Sequence, residues 1–578
     1  MFLPATKLEM EKLGWSQCDI ILVTGDAYID CPQIGIALIG KLLVRKGYKV
    51  GIIAQPDITG SADISRLGEP RLFWGVSGGC VDSMVANYTA LKKFRRHDDY
   101  TPGGLNNRRP DRAVIVYSNL IRRNFKHTVP IILGGVEASL RRITHYDYWS
   151  DKLRRPILFD AKADYLVFGM AEKTIVKLAD SLRSGKSPRT LRSIGYIADS
   201  VPNNYLQLPA YQTVTRDKKA FIRMFHEFYR NSDPLTAYGL AQKIDTRYII
   251  LNPPEFYLNQ RELDNIYTLD FERAVHPYYA RQGGVKALDT IRFSINSHRG
   301  CYGECHFCSI GVHEGRTVRW RSQGSIIQEA KRLTAHPEFR GTIADVGGPT
   351  ANMYGFECQK KLKSGTCIDR RCLYPEKCPR LPVRHDRLTR LLQELRKVPG
   401  IKHIFIGSGI RYDLVMADKK YGHSYLQNIA RYHTSGQLKI APEHSEQAVL
   451  QKMGKPAIDS LLGFKHQFDR FSQLAGKRQF LTYYFIAAHP GCRKEDMRML
   501  KDYATRELRI NPEQVQIFTP LPSTYSALMY YTEVDPFTLE KLTVEKTIRG
   551  KAAQKSILTL KTPRQFQKGN IKYGKRST

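Results

Sequence analysis

Three cysteines near the middle of the chain are spaced so that one loop could hold an iron–sulfur cluster. Cys301, Cys305 and Cys308 form a Cys-x3-Cys-x2-Cys pattern. Three thiolates on one tight loop can bind three irons of a 4Fe–4S cube. The fourth iron is then open, which indicates chemistry at the metal rather than a structural role. The alternatives are three reduced core thiols, or a structural zinc site that takes His306 or His313 as its fourth ligand.

The residues around this loop predict the elements that position it. Thr290 to Ile295 alternate polar and apolar side chains, as a strand does. The loop therefore leaves the C-terminal end of a strand, where barrel enzymes carry out their chemistry. Strand and helix patterns continue alternately through residues 286–530 and predict a partial β/α barrel. Its later strands are expected at Gly341–Gly348, His403–Arg411, Leu438–His444, Gln479–Ile486 and Val515–Pro520.

A second α/β unit is predicted for residues 1–190. Short apolar runs alternate with helical patterns, which indicates an open, doubly wound Rossmann-type sheet. Ligands of such sheets bind beyond the carboxyl ends of the strands, here near Asp26, Gly134 and Gly169. Residues 191–285 are predicted to connect the two units. The strands are expected at Asp19–Asp26, Tyr48–Ala54, Val114–Tyr117, Pro130–Gly135 and Asp164–Gly169, and the helices at Ile34–Lys46 and Glu172–Arg183.

Length and composition indicate two or three domains with well-buried cores, since the chain has 578 residues of which 42% are hydrophobic. We find no run of about 18 apolar residues that would predict a transmembrane helix. The N-terminus lacks the basic-then-apolar pattern of a signal peptide. We therefore expect a cytoplasmic protein without a membrane partner, whose eleven cysteines are thiols or metal ligands.

The net charge of +35 is the main compositional signal about partners. A basic field attracts polyanions, so nucleic acid is a candidate partner. Charge alone favours none of RNA, DNA, acidic protein and anionic metabolite over the others. The end of the chain, residues 531–578, is predicted to be a basic tail, with a helix from about Lys541 followed by a disordered segment.

Four further cysteines lie in an insertion, residues 355–382, after the second barrel strand. Their spacing is Cys-x8-Cys-x4-Cys-x5-Cys, and lysines and arginines surround them. Four cysteines this close in a reduced chain are more often a metal site than four loose thiols. Structural zinc or an auxiliary iron–sulfur cluster would satisfy the pattern, with a folding role slightly favoured, and the basic residues could instead hold an anionic substrate. The four are Cys358, Cys367, Cys372 and Cys378.

The three-cysteine motif, with Phe307 before its last cysteine, resembles the signature of the radical S-adenosylmethionine superfamily. The resemblance implies that Cys301, Cys305 and Cys308 bind a 4Fe–4S cluster. It further implies that S-adenosylmethionine binds the open iron and that Phe307 lies beside its adenine.

The same resemblance assigns contacts to S-adenosylmethionine along the barrel. Gly347 and Gly348 match a glycine-rich turn whose backbone binds the methionyl amino and carboxyl groups. Ser408 and Arg411, at the end of a later strand, are implied to meet the ribose and the carboxylate. Glu443 ends another strand at the rim, where acid/base or adenosyl contacts belong.

Longer motifs resemble the YgiQ-type family within that superfamily, and the match runs from about residue 15 to about residue 530. The N-terminal unit is similar to the cobalamin-binding domain that precedes many radical S-adenosylmethionine barrels. Its loop Gly25–Gly35 lacks the Asp-x-His-x-x-Gly motif of the lower ligand, so histidine ligation of cobalamin is not expected. A binding mode without that ligand stays open, and a domain that keeps the fold without cobalamin is favoured. The family motifs are Gly25–Asp30, Asp98–Gly104, Arg109–Ala113 and Gly134–Arg142.

The resemblance implies an enzyme that reductively cleaves S-adenosylmethionine to a 5′-deoxyadenosyl radical, with an electron from a reductant such as flavodoxin or ferredoxin. It assigns neither a substrate nor the residues that act on one. The basic charge makes RNA or a ribosome-associated protein a reasonable candidate substrate. The alternative is a non-catalytic iron–sulfur or nucleic-acid-binding protein on the same scaffold.

Overall fold

The N-terminal half of the protein is built around one nine-stranded sheet. The computed structural model describes residues 1–560. Five strands are parallel and follow one another across the sheet in an order that, by chain position, is the 2-1-3-4-5 of flavodoxin-like doubly wound sheets. These strands are Val50–Ala54, Ile20–Thr24, Phe73–Ser77, Ile131–Gly134 and Tyr165–Val167.

Both faces of the parallel strands are buried, which explains why their sequences are apolar throughout. Alternate side chains of Ile20–Thr24 pack into two separate cores. One core includes side chains of the helix Gly35–Arg45, and the other includes side chains of the helix Ala113–Asn124. The predicted doubly wound fold class is therefore confirmed for this half.

The strand predicted at Val114–Tyr117 is wrong, because these residues lie in the helix Ala113–Asn124. Buried side chains continue at Leu120 and Ile121, so the apolar positions follow a helical period beyond the four residues of the prediction. The short β-branched run favoured a strand only because it was considered alone. Of the five parallel strands, the one missing from the prediction is Phe73–Ser77.

The sheet continues beyond residue 190, so the predicted boundary between the first unit and a connector is wrong. The strand Ile194–Ala198 pairs antiparallel with Tyr165–Val167, and three more strands follow it. A long helix, Lys218–Arg230, interrupts this part of the chain and obscures the strand pattern. Across the sheet the further strands are Arg247–Leu251, Leu240–Ile244 and Leu206–Leu208.

Helices and one hairpin complete this half of the chain. The hairpin pairs His145–Asp147 with Lys152–Arg154. The helices are Lys7–Lys12, Gly35–Arg45, Ser83–Asn87, Ala113–Asn124, Gly135–Leu140, Ile157–Ala161, Glu172–Arg183, Tyr211–Arg216, Lys218–Arg230, Gln260–Ile266, Pro277–Ala280 and Ala287–Ile291.

The second half contains parallel strands that follow one another as a partial β/α barrel, which confirms the predicted fold class. An isolated parallel bridge between Ile410 and Ile440 links the third strand region to the fourth. The parallel pairs are Ser294–Asn296 with Asp345–Gly347, Thr342–Ile343 with His403–Ile404, Gln437–Glu443 with Phe480–Ala487, and Phe480–Ala487 with Val515–Ile517.

Helices follow the barrel strands, as a β/α repeat requires. A short antiparallel pair, His298–Arg299 with Arg319–Trp320, encloses the three-cysteine loop. The helices of this half are Ile310–His313, Gln323–Thr334, Gln359–Ser364, Asp386–Arg396, Tyr412–Ala417, Gly422–Asn428, Gln447–Met453, Ser460–Leu474, Lys494–Arg506, Tyr525–Thr532 and Ile548–Thr559.

Residues 531–560 are not a tail, so the predicted boundary at 531 is wrong. The helix Ile548–Thr559 packs against the helix Lys494–Arg506. Lys551 is buried, and its ammonium donates to two tyrosine hydroxyls at 2.8 Å, one of them Tyr530. A basic composition predicts an exposed segment. A lysine can nevertheless be buried when its aliphatic stem packs and its ammonium has hydrogen-bond partners, as at Lys551.

The disordered segment predicted at the end of the chain falls on residues 561–578, which lie outside the described residues. Within residues 1–560, no helix combines the length and apolar character needed to cross a membrane.

Candidate active site

The three-cysteine loop wraps around a glycine. The Gly303 amide donates to Cys301 Sγ at 3.3 Å. A side chain at Gly303 would bring its Cβ within 3.2 Å of Cys301 Sγ and 3.5 Å of Cys305 Sγ. The Cys308 amide donates to the Cys305 carbonyl at 3.1 Å, which closes the second turn of the loop. Two of the thiols thus lie against one backbone position, with the third a single turn further along.

Gly300 fixes how the chain enters this loop. Its φ is +79°, and a Cβ there would come within 2.5 Å of the Thr317 carbonyl oxygen. Only glycine tolerates both conditions. The backbone at Thr317, in the segment that follows the loop, therefore packs against the start of the loop.

A guanidinium lies beside the thiols. Arg411 Nη1 is 3.1 Å from the position that a Gly303 Cβ would take. Burial tends to lower the pKa of Arg411, but the Asp413 carboxylate and the nearby Cys305 and Cys301 thiols outweigh it and raise the pKa. Burial raises the pKa of the Cys301 thiol to about 11. The site therefore offers a fixed positive charge to groups that must lose a proton before they bind a metal.

The donor set fits an iron–sulfur cluster, since it consists of soft thiols on one loop beside a cation. In residues 1–560, no three His, Cys, Asp or Glu side chains converge on a point that could hold a single metal ion. Cluster ligation by Cys301, Cys305 and Cys308 therefore stays a prediction.

The histidines of the zinc alternative are engaged elsewhere. His306 Nδ1 contacts the Lys452 carbonyl at 2.8 Å, and its Nε2 contacts Arg371. Burial lowers the pKa of His306 well below its usual range. His313 Nδ1 contacts Ser139 Oγ at 3.2 Å. With both of its ring nitrogens occupied, His306 does not favour a zinc site.

Gly347 and Gly348 lie at the end of the second barrel strand, where neighbouring atoms leave no room for a side chain. A Cβ at Gly347 would meet Ser408 Oγ at 2.1 Å, and one at Gly348 would meet the His298 carbonyl oxygen at 2.8 Å. Close packing thus accounts for both glycines. Their predicted contact with a methionyl group stays a prediction.

Asp345 fixes the neighbouring strand end and was not predicted as a site residue. Its Oδ1 accepts from the Gly407 amide at 2.7 Å, the Ser408 amide at 3.0 Å and Ser408 Oγ at 3.1 Å. Burial raises the pKa of Asp345. The Ser408 hydroxyl is thus committed to a carboxylate next to Gly347, and its predicted contact with a ribose stays a prediction.

Arg411 is held from two sides. Its side chain pairs with Asp413, with Nε 3.0 Å from Oδ1, and its amide donates to Asn352 Oδ1 at 2.8 Å. The sequence offered one signal for this pair, namely an acid two positions after the arginine. Asn352 lies far away in the chain and gave no signal.

Glu443 comes to the same site, as its place at a strand end suggested. It adopts a left-handed φ of +71°, and Lys455 Nζ lies 3.5 Å from its Oε1. Burial raises the pKa of Glu443, and the charges of Lys455 and Arg411 oppose this. The Phe307 ring is partly buried and lies edge-to-face with His489 at 6.4 Å. Lys455 follows a helix and could not be found from local sequence.

The four cysteines of the insertion are distributed differently. Cys358 and Cys372 are buried in a small apolar cluster, with Cys378 at its edge. Cys367 Sγ accepts from Lys360 Nζ at 3.1 Å. Burial opposes ionisation of Cys378, but donors at Arg380 and Arg370 outweigh it and lower its pKa. No metal-binding group of three is formed by these side chains in the described part of the chain, and a shared metal stays a prediction.

A cavity of about 490 Å³ lies between the sheet and the barrel. Asp26, Gly134 and Gly169 line it, as predicted for a ligand site beyond the strand ends. His298 and Gly348 line it from the barrel side. The cavity lies at the point where the strand order reverses, which is the usual ligand position in open α/β sheets.

Three of the family motifs meet below this cavity in one buried ion-pair network. Arg109 Nη1 is 2.7 Å from Asp26 Oδ1, and Arg109 Nη2 is 2.9 Å from Asp98 Oδ2. The Cys80 amide donates to the other oxygen of Asp26 at 2.6 Å. The motifs therefore shape the sheet end that forms one wall of the cavity.

Sequence comparison gives the family. A UPF0313 protein of Fusobacterium nucleatum is 57% identical over 97% of this chain and 99% of its own length. The chain belongs to the UPF0313 family. Another UPF0313 protein, from Thermotoga neapolitana, is 48% identical over 95% of this chain and 97% of its own length. The family model "Radical SAM N-terminal" matches residues 2–294, so the predicted membership of a radical S-adenosylmethionine family is confirmed.

Structural comparison bears on the fold of this UPF0313 chain. The radical S-adenosylmethionine methyltransferase TsrM from Kitasatospora setae, with cobalamin and a 4Fe–4S cluster bound, superposes with a TM-score of 0.50 at 13% identity. The match covers 88% of this chain and 74% of TsrM. The two proteins therefore share a fold.

The expectation that cobalamin is absent needs correction. It depended on the missing histidine in the loop Gly25–Gly35. TsrM has the same fold and holds cobalamin together with its cluster. A missing lower-ligand motif is therefore no ground for excluding this cofactor from the fold.

Proposed function

We propose that this UPF0313 protein binds a 4Fe–4S cluster through Cys301, Cys305 and Cys308 and reductively cleaves S-adenosylmethionine. The observation that supports this most is the packing of the thiol loop around Gly303 beside the Arg411 guanidinium. When bound, such a cluster supplies one electron that breaks a carbon–sulfur bond of S-adenosylmethionine, which yields methionine and a 5′-deoxyadenosyl radical.

The residues of the chain would bind and orient the reactant. Gly347 and Gly348 would offer the backbone at the end of the second barrel strand to the methionyl amino and carboxyl groups, with Gly348 at the wall of the cavity. Asp345 holds the adjacent loop in place through three hydrogen bonds. Arg411 would keep a positive charge beside the anionic thiolates and the carboxylate of methionine. Glu443 and Lys455 would fix the adenosyl side of the site.

The cavity between the sheet and the barrel is the proposed place for the substrate. It reaches the barrel strand ends at His298 and Gly348, next to the cysteine loop. The radical would take a hydrogen atom from a substrate there and leave as 5′-deoxyadenosine. RNA or a ribosome-associated protein is the proposed substrate class, and a net charge of +35, which attracts polyanions in general, agrees with it without selecting it. The same charge favours a small acidic reductant such as flavodoxin or ferredoxin in the cytoplasm.

The proposal includes cobalamin as a candidate ligand of this cavity, because the fold houses it in TsrM. Titration of the purified protein with hydroxocobalamin should shift the absorption bands of the cofactor and leave it bound after gel filtration. A matched variant that places a large side chain in the cavity, Gly134→Trp, should bind less. Retention of no cofactor by wild type would remove cobalamin from the proposal.

Formation of 5′-deoxyadenosine tests the proposed function. The full chain is reconstituted anaerobically with iron and sulfide, reduced, and supplied with S-adenosylmethionine. Wild type and Cys18→Ala, which changes a buried thiol of the N-terminal core, should form the product. Cys305→Ala should form none. A reconstituted wild type that holds iron but forms no product would favour the non-catalytic alternative.

A further inference from the structure

Arg142 is a buried arginine without an anionic partner. Its side chain is 4% exposed. Nη1 donates to the Ser139 carbonyl at 2.5 Å, and no carboxylate in residues 1–560 pairs with the guanidinium. Burial lowers its pKa to about 9, with no carboxylate to oppose the effect. At neutral pH the group is therefore a buried cation, which is costly unless something compensates it.

Aromatic rings compensate part of this cost. The guanidinium carbon lies 4.5 Å from the Phe228 ring centroid and 4.9 Å from that of Phe168. Such cation–π contacts are attractive and strengthen when water is excluded. Both rings therefore lie against the guanidinium. The rings carry no charge, so they do not neutralise the buried cation.

The guanidinium lines a small cavity of about 80 Å³. This cavity shares residues, among them Gly169 and His313, with the 490 Å³ cavity, so the two adjoin. The smaller space is large enough for a small polar group. The rest of a ligand would then lie in the larger cavity.

The other charged groups that line the small cavity differ from Arg142. Glu314 accepts from the Gly300 amide at 3.0 Å, and burial raises its pKa. Each remaining group has a partner of opposite charge. The pairs are Lys173 with Glu262, Glu255 with Lys177, Arg299 with Glu172, and Arg319 with Glu357. Among the described residues 1–560, Arg142 is therefore the cationic side chain lining the small cavity that has no anionic partner.

We propose that Arg142 is an anion-binding residue that receives the phosphate or carboxylate group of a ligand held in the cavity between sheet and barrel. A planar guanidinium with free N–H groups binds such oxyanions through paired hydrogen bonds. The proposal takes from the proposed function only the position of the substrate. It adds that this substrate or cofactor is anionic at the end nearest His313.

Thermal unfolding of the full-length reconstituted protein tests this without S-adenosylmethionine. Inorganic phosphate and sodium acetate are titrated separately, each against sodium chloride at equal ionic strength. Wild type should unfold about 1–2 °C higher in at least one of them, because a ligand of the folded state stabilises it. A rise with phosphate alone assigns a phosphate group, and a rise with acetate alone assigns a carboxylate.

Two variants show whether Arg142 is responsible. Arg142→Met should lose the anion-dependent rise. Arg396→Met is the matched control, since Arg396 is exposed, has no carboxylate partner in the described chain, and lies 3.6 Å from the Tyr432 ring centroid. The control should keep the full rise.

Without added anion, Arg142→Met should unfold no lower than wild type, because it removes an unpaired buried charge. If this variant does not fold, Arg142→Lys takes its place. That variant should show less than half of the wild-type rise, since an ammonium lacks the planar fork.

The proposal is overturned if wild type shows no anion-specific rise, or if the rise persists unchanged in Arg142→Met or Arg142→Lys. A failure of 5′-deoxyadenosine formation would leave this titration unaffected, so the two proposals can fail separately.

Discussion

The chain carries two cysteine-rich segments that differ in how the fold constrains them. The three-cysteine loop is enclosed by the two strands of a short antiparallel pair that follows a barrel strand, and it wraps around Gly303 beside Arg411. The insertion is longer, and its four thiols are divided between a small apolar core and a basic surface. Short spacers between fixed elements restrict the positions of the three thiols. With the longer spacers of the insertion, the positions of the four thiols depend on side-chain packing.

The largest expected difference between the two segments is in iron content. Reconstituted wild type should hold about four irons at the barrel loop. Cys305→Ala should lose nearly all of them, because two thiolates cannot hold a cube in place. Cys367→Ala, in the insertion, should keep them. Iron analysis and absorption spectra measure the iron content of both variants. Equal iron loss in Cys305→Ala and Cys367→Ala would show that the two segments do not differ in cluster binding.

The thiols should also differ in reactivity before any metal is bound. Burial raises the pKa of Cys301 to about 11, whereas donors at Arg380 and Arg370 lower that of Cys378. At pH 8 only about one in a thousand Cys301 thiols is then ionised, and Cys378 should react with iodoacetamide on the order of a hundredfold faster. Raising the pH towards 11 should narrow this gap.

Peptide mass spectrometry of the chelator-treated protein measures these rates. Lys360→Ala provides a check within the insertion. It removes the donor to Cys367 and should slow modification of that thiol, while Cys378 is unaffected. Equal rates for Cys301 and Cys378 at pH 8 would contradict the account.

The same comparison clarifies what could be predicted from sequence. The thiol loop, Arg411 and Glu443 were predicted at strand ends, and the structure brings these strand ends together, while their roles stay predictions. Lys455 and Asp345 were missed, since their roles depend on contacts between distant segments. The helix at Val114–Tyr117 was misassigned because four β-branched and aromatic residues do not reveal a helical period.

The domain boundaries predicted at residues 190 and 531 were wrong for a related reason. The strands after residue 190 are short and separated by a long helix, so their membership of the sheet depends on pairing partners elsewhere in the chain. A helix was predicted from about Lys541, but the packing of the helix Ile548–Thr559 was obscured by its charge, although Lys551 donates to two buried tyrosine hydroxyls. Pairing and burial of this kind are properties of the whole fold and leave little local pattern.

The smallest expected effect concerns stability within the insertion. Cys372 is 6% exposed in an apolar cluster, whereas Cys367 is half-buried at the surface. Cys372→Ala should cost about 1–2 kcal/mol locally and speed proteolysis of residues 355–382 roughly tenfold. Cys367→Ala should change the rate less than twofold. Equal effects from all four cysteines, together with about one zinc or iron beyond four per chain, would instead support a shared metal.

The central claim is that the three-cysteine loop holds a cluster whose open iron meets S-adenosylmethionine. Electron paramagnetic resonance of the reduced, reconstituted protein tests this most directly. The account predicts the signal of a reduced 4Fe–4S cluster that shifts when S-adenosylmethionine is added, and that is absent in Cys305→Ala. A cluster signal that S-adenosylmethionine leaves unchanged, or one that survives in Cys305→Ala, would contradict it.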